Sequence, residues 1–91
     1  MTAKKRDTNH QEIRDALRSA GLATYDLASM GCGYPDLLCV REDGRVFLIE
    51  VKSDGGQLTK DEVKFILISA NPAYRIFTEA EKAVKTILEA N

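Results

Sequence analysis

"DLLCVREDGRVFLIEVK", residues 36–52, decides the architecture. Two largely apolar runs, "DLLCV" (36–40) and "RVFLIEVK" (45–52), flank "REDGR", whose Asp-Gly pair signals a hairpin turn. Leu38, Val40, Val46 and Leu48 fall on one face of this hairpin; Leu37, Cys39, Phe47, Ile49 and Val51 fall on the other. Strands apolar on both faces are expected to be covered on both. Asp36, Glu50 and Lys52 interrupt the pattern, and charged side chains are almost never left in a core without a partner.

Loop length fixes where these charges go, because a one-residue slip sends a side chain to the opposite face of the sheet. A two-residue Asp43-Gly44 turn pairs Asp36 with Val51. A three-residue loop, Glu42-Asp43-Gly44, with Gly44 left-handed, pairs Asp36 with Glu50. The second register makes the chemistry intelligible: the two carboxylates project from one face with Cβ atoms about 5 Å apart. Lys52, two residues beyond Glu50, points the same way. Adjacent carboxylates force one to protonate unless a cation lies between them, and a hard divalent ion such as Mg²⁺ takes oxygen ligands. The bland alternative is a solvated salt-bridge ladder on an edge strand, worth little energetically.

Outward from the hairpin, Ile13, Ala16, Leu17 and Ala20 fall at helical spacing between Thr8 and Ala20, with Gly21 as the stop. Glu12 borders the apolar face of that helix, placed either to reach the strand ends or to form a capping box with Asn9; the two roles are compatible. "LATYDLA" (22–28) reads as a short strand, broken by "SMGCG" (29–33). The polar "SDGG" (53–56) ends the second hairpin strand. Thr59 and Glu62 form a capping box for a second helix, with Leu58 able to staple onto Val63. "NPAYRIF" (71–77) ends that helix and supplies a strand, and Thr78 with Glu81 caps a last helix bearing Ala83, Val84, Ile87 and Leu88 on one face. The order is αβββαβα. The expected fold is a three-layer α/β/α domain over residues 1–91, with residues 1–7 a flexible basic tail.

Composition narrows the function classes. Hydrophobic residues at 44% and charged residues at 30% are those of an ordinary globular domain. The longest uncharged apolar run, "FILISANPAY" (65–74), holds a proline and is too short for a bilayer, so neither a membrane span nor a membrane partner is expected. "MTAKKRDTNH" has no apolar stretch behind its basic start, which argues for an intracellular protein. Cys32 and Cys39, with His10 the only histidine, suit free thiols rather than a zinc site. A net charge of -1 gives no global basic field, so a nucleic acid must be held by local patches such as Lys4, Lys5 and Arg6.

Pro35-Asp36 followed by Glu50-Val51-Lys52, on an αβββαβ core, resembles the PD-(D/E)xK nuclease superfamily with its restriction-endonuclease-like fold. Glu12, "GYPDLL" (33–38), "FLIEVK" (47–52) and "LTKDE" (58–62) narrow the resemblance to the VRR-NUC (virus-type replication-repair nuclease) family, in particular its stand-alone phage and bacterial members. The resemblance implies Mg²⁺- or Mn²⁺-dependent hydrolysis of DNA phosphodiesters, with Glu12, Asp36, Glu50 and the Val51 carbonyl as metal ligands and Lys52 as the catalytic lysine. It also implies branched or four-way junction DNA as substrate, in replication, repair or recombination, and a phage or prophage origin. Relatives often carry glutamine where this chain has Glu62, so no catalytic role is assigned there. Gln57 lies earlier, in the loop. Gly31 and Gly33 either admit a DNA strand close to the backbone or form the tight turn into the next strand. Two alternatives stand beside the nuclease: a catalytically inactive nuclease-fold DNA-binding or interaction module, and a small regulatory domain with solvated charges. Finally, Val63, Phe65, Ile66, Leu67, Ile68 and Ala70 ring the helix over residues 59–70 with more apolar surface than one stripe requires. A homodimer through that helix is expected, unless it is clamped between the sheet and the last helix.

Overall fold

The computed structural model of the chain describes residues 2–53, 55–69 and 72–91, with residues 2–8 and Ser69 described by their backbone only. The elements run α1 (Thr2–Ser19), β1 (Ala23–Asp26), a 3-10 turn (Ala28–Met30), β2 (Leu37–Val40), β3 (Val46–Val51), α2 (Lys60–Ser69), β4 (Tyr74–Phe77) and α3 (Ala80–Glu89). This is the expected αβββαβα order. The four strands form one mixed sheet in sequence order, antiparallel from β1 to β3 and parallel between β3 and β4.

The hairpin adopts the three-residue loop. Arg41 N–H donates to the Arg45 carbonyl at 2.8 Å, Gly44 N–H donates to the Arg41 carbonyl at 2.8 Å, and Gly44 sits at φ +90. Asp43 braces the turn by taking two hydrogen bonds from the Arg41 guanidinium (3.0 and 2.7 Å) and one from Arg45 N–H (3.1 Å). The ladder that follows pairs Val40 with Val46 and Leu37 with Ile49. Continued one residue beyond the last pair, this register sets Asp36, at the bend before β2, level with Glu50.

Helices α1 and α3 cover the Phe47–Ile49–Val51 face. Ile13 and Leu17 of α1, Ala83 and Ile87 of α3, and Leu37, Cys39, Phe47, Ile49, Val51 and Phe77 of the sheet share one buried core. The Arg41 guanidinium ties α3 down by donating to the carbonyls of Ile87 (2.8 Å) and Ala90 (2.6 Å), which the helix end leaves without intrahelical partners. The second face is covered differently from expectation. Helix α2 stands over the Glu50 end only, and Val46 and Ile76 remain 41% and 46% exposed. Ten residues of α2 are one short helix, and one short helix cannot roof four strands.

Four local readings change. Helix α1 begins at Thr2 rather than near Thr8, so Asn9 is inside the helix and the Asn9–Glu12 capping box does not form. Helix α3 begins at Ala80 with Glu79, extended at φ -134 and ψ 138, as N-cap and no side-chain cap; the N-cap lies one residue past Thr78, and the Thr78–Glu81 box is absent. Leu88, expected on the buried face of α3, is half-exposed. By contrast, the Thr59–Glu62 box forms in both directions: Thr59 N–H donates to Glu62 Oε1 (2.8 Å) and Glu62 N–H to Thr59 Oγ1 (3.2 Å). Val63, the expected staple partner of Leu58, is exposed. Both cysteines are free thiols, Cys39 buried and Cys32 exposed.

Candidate active site

The site is assembled at the end of the hairpin where β2 begins and β3 ends. Asp36 is locked in by its backbone and side chain together: its carbonyl accepts Leu27 N–H (2.7 Å) and its Oδ2 accepts Val51 N–H (2.8 Å). Glu50 projects from the opposite side of β3 to Ile49 and Val51, yet is fully buried. Its Oε1 lies 3.5 Å from the Tyr74 hydroxyl, and its Oε2 is buried with no hydrogen-bond partner among the described residues. Lys52 is nearly buried, with its ammonium 2.7 Å from Glu62 Oε1 and 3.4 Å from Glu50 Oε2. Its backbone is clamped from two sides, by Asn9 Nδ2 donating to its carbonyl (2.7 Å) and by its N–H donating to Phe77 (3.0 Å).

The loop that delivers Asp36 is seated on α2. Gly33, at φ +80, lies so close that a Cβ there would stand 2.4 Å from the Asp61 carbonyl oxygen. Tyr34 continues the contact edge-on to Phe65, whose ring in turn leans on Tyr74. The first turn of α2 therefore reaches the Asp36 end of the sheet, and Glu62 enters the site with it.

Electrostatics divide the carboxyls. Burial, the Glu62 carboxyl and the Asp36 charge together push Glu50 far above the usual carboxylate range. Burial acts on Glu62 in the same direction, but hydrogen bonds to Glu50, Lys52 and Thr59 N–H outweigh it and hold Glu62 low. Without a cation the proton sits on Glu50, while Glu62 stays ionised against Lys52. Burial, followed by the charges of Glu50, Glu62 and Asp36, likewise keeps the Tyr74 phenol protonated.

Of the residues singled out in the sequence, the structure brings together Asp36, Glu50, Val51 and Lys52. Glu12 is exposed on α1, one turn beyond Asn9, with no side-chain hydrogen bond among the described residues. Gly31 and Gln57 are exposed; Gly33 spends its freedom on α2. The side chains of Lys4, Lys5 and Arg6 lie outside the described residues. Asn9 and Tyr74 enter unannounced, and Glu62, to which the sequence assigned no catalytic role, lies beside Lys52. Asn9 lies four residues before buried Ile13, on the same helix face, and that spacing is the one signal that could have found it. Glu62 was concealed by its capping role, and Tyr74 by a short strand whose partner sequence does not reveal.

Among the described residues no three Asp, Glu, His or Cys side chains form a ready-made metal cage. A Mg²⁺-like ion does not require one, since it keeps several waters and is held by one or two carboxylates together with substrate phosphate. The Asp36 and Glu50 carboxyls, with the orphaned Glu50 Oε2, fit that donor set.

No curated protein matches the chain. A solved structure described as a VRR_NUC domain superposes with a TM-score of 0.75 at 16% identity, covering 96% of this chain and 98% of its own, which shows a shared fold. The sequence itself matches the VRR-NUC domain over residues 2–77. With that match spanning most of its length, the chain belongs to the VRR-NUC family of nuclease domains.

Proposed function

We propose that the domain is a divalent-cation-dependent endonuclease that hydrolyses DNA phosphodiesters, working inside the cell on branched or four-way junction DNA. The observation that carries this reading is Glu50, fully buried beside Asp36, whose Oε2 has no hydrogen-bond partner among the described residues and only the Lys52 ammonium, 3.4 Å away, as an ion-pair contact. Such a group is costly unless something positive completes it. A solvated salt-bridge ladder does not account for Glu50 and Lys52, both buried.

Asp36 and Glu50 would hold Mg²⁺ or Mn²⁺, with the Val51 carbonyl and Glu12 as further ligands in the family pattern. When bound, the ion neutralises the phosphate and acidifies the attacking water. Asp36 is kept aimed into the site by Val51 N–H. Lys52 supplies a cation at the scissile phosphate, where negative charge grows in the transition state. Buried Glu62 and the partly buried Phe65 and Tyr74 rings limit water around these charges and strengthen them. Lys4, Lys5, Arg6, Gly31, Gly33 and Gln57 are candidate contacts for the DNA backbone, and residues 1–91 act as one nuclease unit.

The active form in this proposal is a homodimer. Leu67 and Ile68 of α2 are each 74% exposed, which does not suit a helix clamped between sheet and α3. Helix α3 instead packs with α1 in the core on the opposite face. Ala70, also expected in the interface, lies outside the described residues. Two sites related by a dyad can cut opposing strands of a symmetric junction.

Incubating a labelled four-way junction with the protein in Mg²⁺ or Mn²⁺, against EDTA and against Asp36→Asn, tests the activity. Cleavage that needs both the cation and Asp36 is the expected result. Binding without cleavage under every cation would make the domain an inactive DNA-binding module instead.

A further inference from the structure

We propose that the groove between the Gly33–Tyr34 loop and α2 is a seat for one unstacked nucleobase of the DNA, with Tyr34 as its stacking platform. The inference rests on the nuclease reading and adds to it the feature by which branched DNA is told from continuous duplex. The groove, of about 390 Å³, is lined by Cys32, Tyr34, Asp61, Lys64, Phe65 and Ile68. Tyr34 is 47% exposed, although its backbone is tied down on every side. Its N–H donates to the Gly31 carbonyl at 3.1 Å, Gly33 before it is pressed on the Asp61 backbone, and Pro35 after it is fully buried. A large ring held in place and still open to solvent loses little freedom when a flat partner stacks on it.

Three observations select a base over an apolar side chain of another protein. The ring floor runs from Tyr34 to Phe65, 5.8 Å between centroids, and on to Tyr74 at 6.0 Å, whose hydroxyl stands 3.5 Å from Glu50; the groove is thus continuous with the Asp36–Glu50 site. Only Pro35 separates Tyr34 from Asp36, so a strand with its phosphate at Asp36 brings a neighbouring base within reach of the ring. Lys64 lines the groove with a cation suited to that nucleotide's phosphate, and Asp61 offers acceptors for the amino groups of a base edge. Every base has a π-face, so stacking here is indifferent to sequence. It does require the base to leave its helical stack, which costs least where pairing is already lost, as at an open branch point, and most within continuous duplex. At positions 61, 64, 65 and 68, the α2 residues of the groove form one stripe, which shares only Ile68 with the outward Leu67–Ile68 pair.

Photo-crosslinking tests the inference on the unaltered protein. A splayed-arm duplex carrying a single 5-iododeoxyuridine at an unpaired position of the branch point is irradiated with the full chain in EDTA, where no cleavage competes, and the crosslinked peptide is identified by mass spectrometry. The crosslink should fall on Tyr34, and continuous duplex of the same sequence should give roughly a tenth of it or less. The second measurement is fluorescence anisotropy of binding in EDTA. Tyr34→Leu, which removes the ring, should weaken binding to the splayed-arm duplex about tenfold and leave continuous duplex within about twofold, whereas Tyr34→Phe, which keeps the ring, should match the wild type on both. Crosslinks that avoid Tyr34 overturn the proposal, as do equal losses on the two DNAs in Tyr34→Leu. A Tyr34→Leu protein that binds both DNAs normally but loses its dimer mass in light scattering gives the groove to a second copy of the chain and overturns it as well. The crosslink decides the matter even if Tyr34→Leu does not fold. If the wild type cleaves no phosphodiester in Mg²⁺ or Mn²⁺, the nuclease reading falls, while crosslinking and binding still decide whether the groove takes a base.

Discussion

Glu50→Gln is the perturbation whose consequence the structure states most sharply. Glu50 is fully buried, and burial together with Glu62 and Asp36 moves its carboxyl from 4.5 up to about 9. In the unfolded chain that carboxyl ionises freely above its ordinary value, whereas the folded metal-free protein must keep the proton. The unfolded state therefore gains with rising pH, and the folded state loses stability from about pH 4.5 upward until Glu50 itself ionises. At 1.36 kcal/mol per pH unit, this costs at most about 3 kcal/mol at pH 7 and about 1 kcal/mol at pH 5. Glutamine mimics the protonated carboxyl and removes the penalty. In EDTA, Glu50→Gln should thus melt higher than the wild type, with a gain larger at pH 7 than at pH 5 by about 2 kcal/mol, or roughly 8–16 °C in a domain of this size. Below the ordinary carboxylate value the sign reverses, because Glu62, held low by Glu50, Lys52 and Thr59 against its burial, contributes stability that is lost as it protonates. Thermal melts of both proteins at pH 5 and pH 7, with and without Mn²⁺, check the reasoning. Mn²⁺ should raise the wild-type melting temperature and leave Glu50→Gln unmoved. A Glu50→Gln gain equal at both pH values, or a loss at pH 7, would refute the account of Glu50 as a buried acid awaiting a cation.

Lys52→Ala should lower kcat by more than it weakens DNA binding, since its charge is needed most in the transition state; equal losses, measured by single-turnover cleavage and filter binding, would make it a phosphate-positioning residue. Gly33→Ala places a Cβ 2.4 Å from the Asp61 carbonyl at a positive φ, so it should destabilise the fold by about 2 kcal/mol or more and reduce cleavage, read by urea denaturation and the junction assay. Gel filtration with light scattering should return twice the 10.1 kDa chain mass at low micromolar concentration, and Leu67→Glu with Ile68→Glu should return the single chain still folded by circular dichroism. A clean monomer of the wild type would remove the dimer.

Much of the site was legible because local chemistry alone specifies it. The Glu-Asp-Gly loop has a left-handed glycine at its third position, and that single conformational requirement sets the register that places Asp36 opposite Glu50. Alternation along β3 then carries Glu50 and Lys52 to one side. The Thr59–Glu62 box was equally readable, since both partners lie within one turn of backbone. What stayed hidden depends on residues far apart in the chain. Asn9 meets Lys52 across 43 residues, and Tyr74 meets Glu50 across 24. Glu62 serves two masters, and only the second, Lys52, comes from another element. The incomplete second face is of the same kind: apolar alternation in β2 and β3 says that a face prefers cover, but where α2 lies is decided by the close approach of Gly33 to Asp61 and by the rings of Tyr34, Phe65 and Tyr74. Sequence determines which groups must be satisfied, since turn geometry, capping and side-chain alternation act over a few residues. Tertiary packing alone decides who satisfies them, because burial and ion pairing are properties of neighbours in space.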